Sequence, residues 1–220
     1  MYDLGDRVII EAGVPCGQPT CEQCRSGRYN GCPHIVFFSS PPHHGTLQRY
    51  HVHSENWLHR LPDKLTFEEG ALVEPFSVAL YGINLSGLRL ADPIVIFGAG
   101  PVGLLTLLAA HAAGAVPISI VDLDDNRLQF AKKVLPRVHL IKPSKNDEPK
   151  KIAEQVKAAT HEEAKIVFEC TGVEQSLQSA IYVSTPALIW FYKFLLVPCR
   201  RFLLRQTSSS PLQRLIAFSR

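Results

Sequence analysis

The sequence predicts an α/β fold, in which a β-rich N-terminal part precedes an incomplete parallel sheet with crossover helices. Residues 1–85 combine short strand signals with loops marked by proline and glycine. Residues 86–183 instead alternate short apolar runs with segments of helical spacing, which is typical of strand–helix–strand units. A glycine-rich turn directly after the first of these apolar runs is the third indication.

The first region carries two strand predictions and one helix start. Residues 5–11 form an apolar run with polar ends, and residues 47–53 are a second candidate strand. Thr66 and Glu69 form a capping box, in which the Thr66 hydroxyl accepts from the Glu69 amide and the Glu69 carboxylate reaches back. A helix is therefore expected to begin at this point.

The second region is expected to contribute four parallel strands joined by helices. A full dinucleotide-binding sheet has six strands, so we expect this sheet to be incomplete. The apolar run at 94–97 is continuous, as in a strand that is buried on both faces. The predicted strands cover residues 94–97, 118–121, 138–141 and 165–169, and the predicted helices cover residues 104–111, 128–134 and 152–159.

The composition restricts the class of partner. An apolar fraction of 46% with 20% charged residues indicates a folded chain rather than a disordered one. Six basic residues and no acidic one follow residue 183, which leaves 17 basic and 20 acidic residues in the body of the chain. A mildly acidic body gives no reason to expect nucleic acid. The longest apolar run, 187–197, contains Lys193 and is shorter than the ~20 residues of a spanning helix, so no membrane partner is expected.

Four of the six cysteines crowd into one short stretch with the spacing Cys-x4-Cys-x2-Cys-x7-Cys. Four thiolates in a tetrahedron are the ligand set of a structural zinc site, which contributes folding energy and does no chemistry. Because no secretory signal opens the chain, the clustering favours a metal site in a reducing cytoplasm over a disulfide framework. Free or disulfide-bonded cysteines are the alternative, and a nucleic-acid-binding zinc module is a weaker one. The predicted zinc ligands are Cys16, Cys21, Cys24 and Cys32.

The glycine-rich turn follows a buried apolar run and opens a helix, which is the context of a dinucleotide-binding fingerprint. Its first glycine permits the tight turn, the second lets the backbone approach a pyrophosphate, and the third lets helix and sheet pack closely. The helix N-terminus offers unpaired amides to the phosphates. A glycine turn that binds no nucleotide is the alternative. The candidate cofactor-binding residues of this turn are Gly98, Gly100, Pro101, Val102 and Gly103.

Asp122 stands 19 residues after Gly103, at the end of the next predicted strand. A carboxylate at this position accepts hydrogen bonds from both ribose hydroxyls of NAD and repels the 2′-phosphate of NADP. Asp124 and Asp125 keep the mouth of the pocket negative, and Arg127 is a candidate to stack on the adenine. The sequence therefore predicts NAD as the preferred cofactor.

Several further motifs, in order along residues 1–183, carry a family resemblance. They are the segments 27–32, 61–63, 67–79, 98–103 and 169–172. Together with the cysteine cluster they resemble the zinc-dependent medium-chain polyol dehydrogenases, the family of sorbitol dehydrogenase, L-arabinitol 4-dehydrogenase and xylitol dehydrogenase. The resemblance implies a partial GroES-like catalytic domain with a structural zinc lobe over 1–85 and a partial NAD-binding Rossmann domain over 86–183. Residues 184–220 are expected to form an aberrant or unstructured basic tail, with an amphipathic membrane-surface helix as the alternative.

The resemblance also implies a reaction and its residues. In this family a catalytic zinc binds a secondary alcohol of the polyol, and hydride passes to NAD to give a ketose. Glu74 matches the family's glutamate beside that zinc or its water, and Tyr50 matches an aromatic near the substrate. Thr171 and Gly172 match a loop close to the cofactor. The full-length protein is expected to be a cytoplasmic homotetramer.

The cysteine and the His-Glu pair that hold the family's catalytic zinc lie upstream of the strand that begins here at Gly5. We therefore expect the chain to be truncated at both ends, and two hypotheses stand. The chain is an inactive fragment of a polyol dehydrogenase, or it is a genuine zinc- and nucleotide-binding remnant without catalysis. The loop histidines His43, His44 and His51 are expected to be solvated rather than to form a second zinc site.

Overall fold

A computed structural model describes residues 2–160 and 164–183, together with the backbone of two later strands at Leu188–Phe191 and Leu203–Leu204. The contacts between residues divide this chain into two units, which meet in sequence between Glu74 and Pro75. The division falls inside a helix, earlier than the boundary at residue 85 that the sequence suggests.

The first unit is built from short strands and single helical turns. Strand β1 pairs antiparallel with β4, and β2 pairs antiparallel with β3, so the unit holds two separate two-stranded sheets. The prediction of a strand within residues 5–11 is confirmed by β1. The elements are β1 (Val8–Ile10), β2 (Gly13–Val14), α1 (Glu22–Arg25), a 3-10 turn (Tyr29–Gly31), β3 (Val36–Phe37), a second 3-10 turn (Glu55–Trp57) and β4 (Leu58–Arg60).

The strand predicted at residues 47–53 is wrong. Its apolar side chains Leu47 and Val52 are fully exposed, so the segment has no buried face to pair with a sheet. The histidines of the segment turn instead toward Phe38, whose ring centroid lies 4.7 Å from that of His51 and 5.4 Å from that of His53. Ring packing and side-chain hydrogen bonds therefore organise this loop in place of a backbone ladder.

Helix α2 (Phe67–Ser86) begins where the capping box predicts. The Glu69 amide donates to the Thr66 hydroxyl at 3.2 Å, and the Thr66 amide donates to the Glu69 carboxylate at 2.8 Å. These two bonds satisfy donors that the first helical turn leaves without a partner. Neither α2 nor any other helix of the described residues is both long and apolar enough to cross a membrane.

The second unit is a six-stranded sheet in the order β10-β9-β8-β5-β6-β7. All neighbouring strands are parallel except β10, which pairs antiparallel with β9. The four predicted strands and the three predicted helices of this region are confirmed. The strands are β5 (Ile94–Phe97), β6 (Ile118–Val121), β7 (His139–Ile141), β8 (Ile166–Glu169), β9 (Leu188–Phe191) and β10 (Leu203–Leu204), and the helices are α3 (Pro101–Ala112), α4 (Asp125–Val134), α5 (Pro149–Thr160) and α6 (Glu174–Val183).

Strands β9 and β10 were not among the sequence predictions. They lie in the region after Val183 that lacks turn glycines, and without such turns an apolar run alone does not distinguish a strand from a helix. Both hypotheses about 184–220, an unstructured tail and a membrane-surface helix, otherwise concern residues outside the described part of the chain.

The central strand β5 is buried on both faces, as its continuous apolar run predicts. Successive side chains of a strand point to opposite faces. Accordingly, Ile94 and Ile96 belong to the core that includes residues of α3 and α4, whereas Val95 and Phe97 belong to the core that includes residues of α5 and α6. Two apolar layers on one sheet thus hold the ends of the strands in place.

One buried serine in this sheet gives a stability prediction. The hydroxyl of Ser119 on β6 has no hydrogen-bond partner among the described residues. The buried hydroxyl of Ser86 instead donates to the Ile83 carbonyl at 2.7 Å and accepts from the Leu88 amide at 3.3 Å. Because an unpaired buried hydroxyl is a desolvation cost, we expect Ser119→Ala to leave the free energy of unfolding unchanged or to raise it by up to about 1 kcal/mol.

The matched variant Ser86→Ala removes two hydrogen bonds and is expected to lower the free energy of unfolding by about 1–2 kcal/mol. Urea unfolding followed by circular dichroism measures both variants. A loss in Ser119→Ala as large as that in Ser86→Ala would contradict the assignment of Ser119 as unpaired.

Candidate functional site

The four cysteines predicted as zinc ligands converge on one point in the first unit. Cys21 caps the N-terminus of α1 and Cys24 lies within that helix, while Cys32 ends the 3-10 turn that follows. Cys16 approaches from the segment after β2. Their sulfur atoms all lie within 4.8 Å of one another, and no other group of three or more His, Cys, Asp or Glu residues that could hold a metal occurs in the described part of the chain.

The spacing of the sulfur atoms fits a tetrahedral zinc site. Zinc–sulfur bonds of about 2.3 Å in a tetrahedron place the sulfurs about 3.8 Å apart. The Sγ atoms of Cys16 lie 3.7 Å from Cys24 and 3.5 Å from Cys32, and Cys21 lies 3.9 Å from Cys32. A disulfide needs sulfurs about 2.05 Å apart, so the disulfide alternative does not match these positions.

The electrostatics of the cluster also suit a cation. A hydrogen bond from the Cys16 backbone lowers the pKa of Cys32 to about 6 against its burial, and the His34 amide supports the same shift from 3.4 Å. Burial raises the pKa of Cys24 to about 12, with the neighbouring thiols adding to the shift. A divalent cation at the centre would stabilise all four sulfurs as thiolates.

Glu74 lies in the interior of α2 and is half-buried. Burial raises the pKa of its carboxyl, and the negative charge of Glu11 raises it further. Because the first turn of α2 holds Glu68 and Glu69 instead, the amide dipoles of the helix entry do not account for Glu74. Glu11, which gave no signal in the sequence, also holds His59, whose Nε2 lies 3.0 Å from the Glu11 carboxylate.

The other predicted residues of the first unit lie in the loop before β4. Tyr50 is 86% exposed, and His43 and His44 are exposed as well. His51 is half-buried in a chain of side chains: its Nδ1 lies 2.8 Å from the amide nitrogen of Gln48, and its Nε2 lies 3.2 Å from Nδ1 of His53. Both imidazole nitrogens of His51 therefore take part in hydrogen bonds.

The glycine-rich turn of the second unit is closely packed at two of its glycines and open at the third. Gly98 has a φ of +99°, which only glycine adopts readily, and a Cβ there would come within 2.9 Å of the Thr171 side chain. A Cβ at Gly103 would overlap the carbonyl oxygen of Gly98. A Cβ at Gly100 would meet no atom within 4 Å, so this glycine borders open space. The turn is thus closely packed against other protein atoms at Gly98 and Gly103, and it borders open space at Gly100.

Asp122 follows β6 beside this turn, at the carboxyl ends of the parallel strands. Its Oδ2 accepts from the Ala99 amide at 2.7 Å, and its Oδ1 accepts from the Asp124 amide at 2.9 Å. The guanidinium of Arg127 lies 4.0 Å from Oδ2. Since β5 lies between β6 and β8, the turn after β5 stands at the topological switch point, where ligands of open α/β sheets bind.

The loop after β8 borders the same edge and is organised by Glu169, which the sequence analysis did not single out. This buried carboxylate accepts from the Thr171 amide at 2.9 Å, from the Thr171 hydroxyl, from the Gly172 amide at 3.0 Å and from the Ser176 hydroxyl at 3.0 Å. Thr171 and Gly172 are thereby held in a fixed loop. The turn 98–103, Asp122 and this loop all follow the carboxyl ends of parallel strands.

Two protein-family models match the chain. Residues 1–63 match the alcohol dehydrogenase GroES-like domain, and residues 101–187 match the zinc-binding dehydrogenase domain. Among curated proteins, L-arabinitol 4-dehydrogenase of Aspergillus oryzae is 46% identical over 187 residues, covering 81% of this chain and 48% of that protein. Sorbitol dehydrogenase of Bos taurus is 43% identical over 180 residues, covering 82% of this chain and 49% of that protein. The chain thus spans about half the length of the curated relatives it matches.

Solved structures of dehydrogenases share the fold. An alcohol dehydrogenase from Thermus sp. ATN1 superposes with a TM-score of 0.78 at 26% identity, over 96% of this chain and 61% of that chain. A zinc-binding dehydrogenase from Sinorhizobium meliloti bound to NADP superposes with a TM-score of 0.75 at 26% identity, over 85% of this chain and 54% of that chain.

The cysteine cluster gives a metal-binding prediction. We expect the chain to purify with one zinc ion, measured by inductively coupled plasma mass spectrometry, and Cys32→Ser to lose it because three thiolates leave the tetrahedron open. The thermal unfolding temperature should fall with the loss, since a structural zinc contributes folding energy. Cys170→Ser is the matched control: Cys170 lies outside the cluster, so this variant should keep its zinc. Equal zinc content in the Cys32→Ser variant and the unmodified chain would contradict the site.

Proposed function

Since the chain belongs to the zinc-binding dehydrogenase family, we propose that it is part of a protein that catalyses the NAD-dependent oxidation of a polyol to a ketose, and that the chain by itself is inactive. The observation that carries the proposal is the edge of the sheet formed by the open turn at Gly100 and the fixed carboxylate of Asp122. Polyol dehydrogenases among the relatives support the substrate class, with sorbitol, L-arabinitol and xylitol as the candidates.

Each residue of the cofactor edge has a proposed role. The first backbone amides available in α3 are those of Val102 and Gly103, because Pro101 has no N–H, and they face the pyrophosphate that Gly100 allows to approach closely. The remaining acceptor capacity of Asp122 receives the two ribose hydroxyls, and Arg127 covers the adenine. Thr171 and Gly172 border the cofactor from the next strand end. NAD, when bound, accepts the hydride.

The first unit contributes the metal lobe and one carboxyl group. The cysteine quartet would hold a structural zinc that stabilises the lobe, and it leaves no ligand position for chemistry. Glu74, half-buried in α2, is proposed to lie beside the catalytic zinc or its water, as the matching glutamate of the family does. Tyr50 is proposed to contact the polyol from its exposed loop. Homotetrameric assembly in the cytoplasm completes the proposal and rests on the family resemblance.

A second candidate function is a zinc- and nucleotide-binding polypeptide without polyol oxidation. One observation favours it: within residues 2–160 and 164–183, the four cysteines are the one group placed to hold a metal. A full quartet of thiolates supports folding rather than catalysis. This candidate keeps both the zinc lobe and the cofactor edge, and it differs from the first only in the chemical step.

The two candidates differ in a direct assay. The zinc-loaded chain is mixed with NAD and, in turn, sorbitol, L-arabinitol and xylitol, and NADH is followed at 340 nm. Polyol-dependent NADH formation by this chain would overturn the second candidate, and its rate should then fall at least about tenfold in Glu74→Gln, since a carboxylate beside the reacting alcohol is lost. NAD binding by calorimetry without NADH formation is the result expected of an inactive fragment as well as of the second candidate, and the absence of NAD binding would overturn both.

The two glycines of the turn give a paired prediction. Gly100→Ala is expected to fold with unchanged stability, because its Cβ meets no protein atom, and to weaken NAD binding at least about tenfold because the methyl group occupies the pyrophosphate approach. Gly103→Ala, whose Cβ overlaps the Gly98 carbonyl, should lower the thermal unfolding temperature. Calorimetric titration with NAD and thermal unfolding measure both effects. A Gly100→Ala variant with full NAD affinity would place the pyrophosphate elsewhere.

A further inference from the structure

A cavity in the first unit borders two of the four clustered cysteines. It has a volume of about 390 Å³, and Cys16 and Cys21 form part of its wall. Cys24 and Cys32 do not line it, and Cys32 is only 3% exposed. A small polar solute that enters the cavity therefore meets Cys16 and Cys21 first. The other lining residues are mostly polar and exposed, and they are Gln18, Thr20, Glu22, Gln23, Pro33 and His34.

Cys16 also has close sulfur neighbours. Its Sγ lies 3.5 Å from that of Cys32 and 3.7 Å from that of Cys24, and the Sγ of Cys21 lies 3.9 Å from that of Cys32. A disulfide bond is about 2.05 Å long, so the sulfurs of Cys16 and Cys32 would have to approach by about 1.5 Å. Residues 17–20, which follow Cys16, are all exposed, so this segment can shift without disturbing packed side chains. Of these three pairs, Cys16 and Cys32 need the least movement to form a disulfide.

The chemical state of the cysteines matters as much as their positions. A zinc ion holds its cysteine ligands as thiolates, and the thiolate is the form that peroxides oxidise. Oxidation gives a sulfenic acid first, which condenses with a second sulfur to a disulfide, and it also requires access to the sulfur. Cys170 offers neither condition, because it packs against an apolar core of the second unit and burial raises its pKa to about 12. Cys16, in the wall of the cavity, offers both.

We propose that Cys16 and Cys32 form an oxidation site, at which hydrogen peroxide entering the cavity converts the two thiolates to a disulfide and the zinc ion is released. The inference goes beyond the proposed function and rests on the zinc site alone. The disulfide removes two of the four ligands, and the thiolates of Cys21 and Cys24 are too few to complete a tetrahedral site. Since a structural zinc contributes folding energy, the first unit loses stability with the ion.

The oxidation consists of two substitutions at sulfur and oxygen. The Cys16 thiolate attacks one oxygen of hydrogen peroxide, the O–O bond breaks, and the Cys16 sulfenic acid and a hydroxide ion form. The Cys32 thiolate then attacks the sulfenic sulfur, the S–O bond breaks, and the disulfide and a second hydroxide form. The two sulfurs lose two electrons and the peroxide gains them. Each hydroxide takes a proton from the solvent, so the products are the disulfide and two molecules of water.

The experiment treats the zinc-loaded chain with hydrogen peroxide and follows the released zinc with a chromogenic chelator. Disulfides are located by mass spectrometry of unreduced tryptic peptides. Because cleavage after Arg25 and Arg28 separates Cys32 from the other three clustered cysteines, a disulfide to Cys32 joins two peptides, and their fragment spectra identify its partner. We expect zinc release to match the formation of the Cys16–Cys32 disulfide. Dithiothreitol with added zinc should restore the zinc content, since a disulfide is reducible whereas sulfinic and sulfonic acids are not.

Two histidine variants test the assignment of the pair. Histidine is also a zinc ligand, so Cys16→His and Cys24→His each keep a four-ligand site of three cysteines and one histidine. Cys16→His removes one member of the proposed pair, and peroxide should release its zinc at least about fivefold more slowly. Cys24→His is the matched control, because it keeps both Cys16 and Cys32 and should release zinc at the rate of the unmodified chain. Cys32→His is a second test variant, used if Cys16→His does not retain zinc.

The outcomes distinguish the oxidation site from the zinc site on which it rests. A chain that neither purifies with zinc nor takes it up overturns the zinc site itself. A zinc-loaded chain that keeps its zinc in peroxide, or that loses it without a Cys16–Cys32 disulfide, overturns the oxidation site alone. Equal rates of release in the Cys16 and Cys24 variants also overturn it. Slow release in the Cys16 variant, with normal release in the Cys24 variant, supports it. The cofactor edge is tested independently by the binding of NAD.

Discussion

The second unit depends on the close approach of Gly103 to the carbonyl of Gly98. Because no side chain fits between them, α3 begins directly on the turn after β5 and points its unpaired amides past the ends of the strands. The amide of Gly98 donates to the Val121 carbonyl at 2.7 Å, which ties the same turn to β6. The turn, α3 and β6 are thereby fixed relative to one another at this edge of the sheet. The positions of the side chains at the edge are fixed with them.

The first unit is not stabilised by extended strand pairing. Its strands are two or three residues long, and its sheets have two strands each, which is too little pairing for independent stability. The cysteine quartet compensates by drawing four points of the chain to within 4.8 Å of one another. The ring of Tyr29 extends the lobe onto Trp57, with centroids 4.8 Å apart. A metal ion bound by these cysteines would thus stabilise the first unit as the apolar layers stabilise the second.

Sequence patterns predict the second unit better than the first, for a physical reason. A strand such as Ile94–Phe97 is apolar throughout because both its faces are buried, so the burial is visible in the sequence as a run of consecutive apolar residues. The pair Gly13–Val14 and Val36–Phe37 is too short to show any period, and the apolar Leu47 and Val52 face solvent. Cysteine spacing predicts the metal ligands because the chemistry needs that residue type. Glu11 and Glu169 escaped prediction because their roles depend on partners that fold next to them.

Asp122 and Glu169 show how the same chemical group takes two roles at one sheet edge. An ionised carboxylate offers about four acceptor positions. Glu169 receives four donors from its own loop and the helix that follows, three on Oε1 and one on Oε2, so most of its acceptor capacity shapes the loop. Asp122 receives two amides, from Ala99 and Asp124, and retains capacity for two more donors. The two hydroxyls of a ribose match that remainder in number, which supports the role proposed for Asp122.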